Sequence, residues 1–109
     1  MSTISTHVLD TSLGKPATGV SVTLESGGSV IGSGTTDRDG RVKDLLKTGQ
    51  QLATGSHDLV FIVGEYFTRT GREAFYDRIV ISFNVETQSE HYHVPLLLSP
   101  FGYSTYRGS

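Results

Sequence analysis

The 109 residues carry 11 acidic and 9 basic side chains, a formal charge of −2, with no basic block; neither nucleic acid nor a membrane surface is expected as a partner. Cysteine is absent, which excludes disulfides, thiolate metal sites and cysteine nucleophiles and fits a reducing compartment. The longest unbroken apolar run, Leu59 to Val63, is far short of the ~18 residues that suggest a membrane span, and neither a secretory leader nor a terminal targeting tripeptide is evident, so a cytoplasmic protein is expected.

In chain order, Ile4 to Asp10 alternates, with Ser5, His7 and Leu9 on one face and Ile4, Thr6 and Val8 on the other, and reads as a first strand. "GVSVTLES" points Val20, Val22 and Leu24 inward, and Gly27-Gly28 makes a hairpin turn into "SVIGSGT". "TDRDGR" (36–41) is a turn tightened at Asp39-Gly40, with Arg41 leaving it. Leu59 to Val63, apolar on both faces, predicts a central strand. "GEYFTRTGR" breaks the pattern and predicts one short helix with Tyr66 and Phe67 inward and Gly71 as its C-terminal cap. "RIVISFNVE" sets Ile79, Ile81, Phe83 and Val85 on one side. "HYHVPLLL" sets Tyr92, Val94, Leu96 and Leu98 against His91, His93, Pro95 and Leu97. Pro95 cannot donate to a ladder, so it marks an edge, a bulge or an interface. Ser99 to Gly102 turns "YSTY" back as a last strand. Seven to eight short strands with one short helix predict an all-β chain, a two-sheet sandwich forming a single domain over residues 1–109.

Four histidines could act as bases near neutrality. His57, beside Gly55 and Ser56 at a strand entrance, reads as an exposed loop histidine. His91 and His93 lie two apart on one strand and share a face, and His7 lies opposite Val8. A His-x-His pair can bind a metal, but zinc needs further ligands that spacing does not supply. "DRDG" is no calcium loop, because Arg41, Lys43 and Thr48 occupy later ligand positions. No Gly-x-Ser-x-Gly elbow and no glycine-rich phosphate loop is present. What remains is non-covalent chemistry: a histidine base, an arginine for a negatively charged oxygen, and water as nucleophile.

"STHVLDT", "TDRDGR" and "HYHVPLLLSPFGYSTYRGS" together resemble the 5-hydroxyisourate hydrolases, the transthyretin-related proteins of purine catabolism. The resemblance spans essentially the whole chain, and the terminal "YRGS" is its most specific part. It implies a prealbumin-like β-sandwich and a homotetramer with sites where two dimers meet. It also implies cofactor-free hydrolysis of 5-hydroxyisourate to 2-oxo-4-hydroxy-4-carboxy-5-ureidoimidazoline on the route of urate degradation. Carried over residue by residue, the catalytic set falls on His7, Arg41 and His93, and these contact the substrate together with Tyr106, Arg107, Gly108 and Ser109. The tail is then expected to turn into the pocket, with Gly108 supplying backbone freedom and Ser109 a hydroxyl and a carboxylate. His91 is either a family residue or a supporting surface histidine.

A guanidinium beside an imidazole disfavours the imidazolium, so Arg41 would keep a neighbouring histidine neutral and basic. Which histidine is the base does not follow from sequence; His7 and His93 are expected to share the water. Two other readings stand beside the hydrolase: a non-enzymatic small-molecule, hormone-like carrier with the transthyretin fold, and a metal-binding β module built on His91 and His93.

Overall fold

The computed structural model describes residues 3–86 and 90–108. Nine strands and one helix are present among them, two of the strands only two residues long. The first sheet is built on β1 (Thr3–Asp10), whose even residues Ile4, Thr6 and Val8 are buried as the alternation requires. It runs β2 (Lys15–Pro16), β1, β8 (His91–Ser99), β9 (Gly102–Thr105), with β5 (Arg41–Val42) pairing along the same edge of β1 as β2. β1 and β8 are parallel, from Thr3 opposite His91 to Asp10 opposite Leu98. Buried Thr6 satisfies its hydroxyl on the Val94 carbonyl at 2.7 Å.

The second sheet runs β4 (Ser29–Thr35), β3 (Ser21–Ser26), β6 (Gly55–Ile62), β7 (Ile79–Val85), all antiparallel. Gly27 and Gly28, at φ 57° and 84°, make the two-residue turn between β3 and β4 that only positive φ allows. The inner faces meet in one core that includes Val22, Leu24, Leu59, Phe61, Leu96 and Leu98. The apolar run at 59–63 is the end of β6 and the start of α1 (Val63–Arg69), with Val63 the first helical residue. The helix closes in a Schellman motif at Gly71 (φ 72°): Arg72 N–H bonds Phe67 O, and Gly71 N–H bonds Thr68 O. Among the described residues no helix is long and apolar enough to cross a membrane.

α1 is tied to β1 through buried Asp10. Its carboxylate accepts from Tyr66 Oη at 2.7 Å, Ser12 Oγ at 2.7 Å and Arg72 Nη2 at 2.6 Å. Burial pushes the carboxyl up, but these bonds and the Arg72 charge outweigh it and hold the group at about 2.

His57 corrects the sequence reading. It is 3% exposed, not a loop residue. β6 starts at Gly55, earlier than the apolar run suggests, and period two then places His57 with Leu59 and Phe61 on the inner face. Its ring lies 5.9 Å from that of Phe83, and neither ring nitrogen has a hydrogen-bond partner among the described residues.

Two features shape the outer face. Three glycines let the segment around β5 approach. A Cβ on Gly32 would lie 1.7 Å from the Leu45 carbonyl oxygen, one on Gly34 2.6 Å from Val42 Cγ1, and one on Gly40 (φ 76°) 2.4 Å from the Val8 carbonyl oxygen. Asp37 braces the turn itself: its Oδ1 accepts from Asp39 N–H and Arg41 N–H, at 2.8 and 3.0 Å. Pro95 lies inside β8, between β1 and β9. β9 pairs with β8 up to Thr105 opposite Leu96, and the same register resumes at Gly108 opposite His93. Pro95 has no N–H to bridge the interval, and its carbonyl is taken by the Thr105 hydroxyl at 2.7 Å. The ladder therefore opens where Tyr106 and Arg107 pass.

Candidate functional site

Pairing register alone assembles the site. On the outer face of the first sheet Thr3 lies opposite His91, Ser5 opposite His93, and His7 opposite both Pro95 and Arg41. The β5 turn thus carries Arg41 to the histidines, which sequence spacing could not show. Ser5, Arg41, Lys43, His91 and His93 line a cleft of about 300 Å³. His7 is on the same face but stands beside this cleft, half-buried next to Arg41.

The two β8 histidines are bridged by one hydroxyl. Ser5 Oγ is 2.7 Å from His93 Nδ1 and 2.9 Å from His91 Nε2, and the Thr3 hydroxyl bonds His91 Nδ1. The rings are nearly parallel, at 17° and 6.5 Å between centroids. Burial, then the charges of Arg41, His91 and His7, push His93 below the ordinary histidine value. At neutral pH His93 is a neutral imidazole beside a guanidinium: one nitrogen is held by Ser5, and among the described residues nothing bonds the other. Such a pair can take a proton from water and hold an oxygen that becomes negative.

The tail divides. Gly108 donates its N–H to the His93 carbonyl at 2.8 Å and lies so close that a Cβ would fall 2.5 Å from His93 Cδ2. It does not take a positive φ; closeness to the ring, not backbone freedom, is what calls for glycine here. Arg107 lies beside the histidine cleft, lining grooves next to His93 and His91. It pairs with Glu90 at 3.0 Å and lies 4.8 Å over the Tyr92 ring, because the gap at Pro95 releases it toward the sheet edge. Tyr106, 56% exposed, flanks an apolar groove of about 230 Å³ against Ile81 and Phe83. Ser109 lies outside the described residues.

Ser5, Thr3 and Lys43 were not singled out from sequence. Ser5 was already assigned the His7 face by period two, and Lys43 follows Arg41 by two residues. The missing information was the parallel register of β1 on β8. Among the described residues no three histidine, cysteine, aspartate or glutamate side chains come together as a metal site would require.

The HIUase/Transthyretin family model matches residues 4–108. A 5-hydroxyisourate hydrolase of Halalkalibacterium halodurans is 48% identical over 115 aligned positions, covering 97% of this chain and 97% of that protein. Among solved structures, the Klebsiella pneumoniae 5-hydroxyisourate hydrolase superposes with a TM-score of 0.90 at 40% identity, covering 100% of this chain and 94% of the other. Sea bream transthyretin in complex with thyroxine superposes at 0.86 with 28% identity, covering 96% and 93%. The prealbumin-like sandwich expected from sequence is the observed fold.

Proposed function

The chain belongs to the HIUase/Transthyretin family, and on that footing we propose that it hydrolyses 5-hydroxyisourate to 2-oxo-4-hydroxy-4-carboxy-5-ureidoimidazoline, acting as one transthyretin-like domain without a cofactor. The observation that carries this reading is that His93 and Arg41 line one cleft, where burial and the Arg41 charge disfavour the imidazolium. His93 and His7 share the nucleophilic water, one of them taking its proton. Arg41 stabilises the negative charge that develops on the attacked carbonyl oxygen, with Lys43 adding positive potential to the same cleft. General base catalysis of this kind contributes roughly 10²- to 10⁴-fold in rate.

The tail residues Tyr106, Arg107, Gly108 and Ser109 complete substrate binding in a homotetramer whose sites lie where dimers meet. Support for assembly comes from the exposed Phe75, Phe101, Tyr103 and Tyr106 and from the edge strands β7 and β9, each paired on one side only among the described residues. A cleft open in one chain becomes walled when a second chain covers it. We place the reaction in the cytoplasm, where a cysteine-free chain needs no oxidising environment.

The test is ultraviolet spectroscopy of freshly generated 5-hydroxyisourate, with the spontaneous decay measured alongside. The full chain should accelerate decay, and His7→Asn and His93→Asn should each remove most of that acceleration. Decay no faster than the spontaneous rate would leave the carrier reading in its place. Full activity in a protein that sediments as a monomer would refute the shared site.

A further inference from the structure

Resting on the hydrolase reading, we propose that Ser5 is the link in a proton wire formed by His93, Ser5, His91 and Thr3. The wire fixes His93 as its Nδ1–H tautomer and moves the proton taken from water onto His91. A serine hydroxyl has one proton, yet Ser5 Oγ contacts His93 Nδ1 at 2.7 Å and His91 Nε2 at 2.9 Å. It can donate to only one of them, and since no other partner for its hydroxyl is found among the described residues, donating to one ring while accepting from the other is the arrangement that uses its proton.

Of the two relay directions, only one leaves His93 a base. If His93 Nδ1–H donates to Ser5 and Ser5 donates to His91 Nε2, His93 keeps its Nε2 lone pair. Neutral His91 then carries its proton on Nδ1, where the Thr3 hydroxyl accepts it. The opposite direction puts the single proton of neutral His93 on Nε2, and no basic nitrogen remains.

The wire also solves an electrostatic problem. Facing His93 are Arg41 from β5, Lys43 just after it, His7 from β1 and His91 from its own strand. Among the described tail residues Gly108 packs on its ring, while Arg107, the one charged side chain among them, is paired with Glu90. An imidazolium at His93 would sit among cations. As the water O–H breaks and the Nε2–H bond forms, the Nδ1 proton passes to Ser5 and the Ser5 proton passes to His91 Nε2. The positive charge then rests on exposed His91, four positions along β8 from the level of Arg41 at Pro95, where His93 is only two away. His93 is left neutral with its proton on Nε2, ready to give to the ring nitrogen that leaves. The wire running backwards, His91 to Ser5 to His93 Nδ1, restores both rings.

Imidazole ¹⁵N spectra of the full chain at neutral pH should show His93 as the Nδ1–H tautomer. Ser5→Ala should convert it to the Nε2–H form that a free histidine side chain prefers, and Ser5→Thr, which keeps the hydroxyl, should not. In turnover, Ser5→Ala should lower kcat at least ~10-fold with KM within about twofold, and Ser5→Thr should recover most of it. A wild-type His93 found as Nε2–H, or a folded Ser5→Ala with unchanged tautomer and kcat, overturns the wire. The wild-type spectrum decides even if Ser5→Ala does not fold. A chain with the Nδ1–H tautomer that does not hydrolyse 5-hydroxyisourate keeps the tautomer assignment and removes the hydrolase reading instead.

Discussion

Replacing Gly108 with alanine tests whether the tail sets the position of the base. An ideal Cβ there would lie 2.5 Å from His93 Cδ2, 3.2 Å from Cγ and 3.4 Å from Cβ. Carbon atoms meet comfortably at roughly 3.5–4.0 Å, so the tail or the ring must yield by about 1 Å. If the tail yields, the 2.8 Å bond from Gly108 N–H to the His93 carbonyl is lost, costing about 1 kcal/mol. If the ring yields, its 2.7 Å bond to Ser5 is stretched, and misplacing a reacting group by about 1 Å can cost ~10²-fold in rate. The core is untouched in either case. Steady-state assay of 5-hydroxyisourate hydrolysis should therefore show kcat/KM reduced by about 10- to 100-fold, while the thermal midpoint falls only a few degrees. An unchanged kcat/KM, with the Gly108 amide as protected from hydrogen exchange as before, would refute the reasoning.

Other consequences are equally open to measurement. Asp10, held at about 2 against an ordinary 3.8, contributes about 2 kcal/mol of stability above pH 4; that stability should fade as pH drops through 2, and Asp10→Asn should flatten this acid limb in urea titrations. His93 lies below the ordinary histidine value because of burial and then Arg41, so the acid limb of kcat/KM should sit below pH ~6.5. Arg41→Gln should move that limb upward and reduce kcat by ~10²- to 10³-fold. His57 is buried with neither ring nitrogen hydrogen-bonded among the described residues, so His57→Leu should raise the urea midpoint, by about 1 kcal/mol in unfolding free energy.

Most strands were legible because half-buried strands write their faces into the sequence with period two. Ile4, Thr6 and Val8 point in while Ser5 and His7 point out, and His91, His93 and Pro95 share a face. That fixed which side chains could meet, but not which did. The contact of Ser5 with His93 needs β1 and β8 to pair in parallel at one register, and no local pattern encodes that choice. Lys15–Pro16 and Arg41–Val42 are too short to alternate. His57 was misread because a polar residue flanked by glycine and serine looks like a loop, while the pairing of Gly55 with Val85 extends the strand past it. The path of the tail was not legible either. Pro95 signalled a broken ladder, but not that the break would send Arg107 to Glu90.

The parallel pairing of β1 with β8 has a kinetic consequence. Ser5 and His93 are 88 positions apart in the chain, so their contact closes nearly the largest loop this polypeptide can form, and such contacts are costly in chain entropy and slow to arise. Local hairpins such as β3 with β4 can form early without creating any part of the cleft. Recovery of the Ser5 to His93 contact during refolding should thus lag the bulk gain of β structure, making the cleft a report on whether the first and last thirds of the chain have found each other.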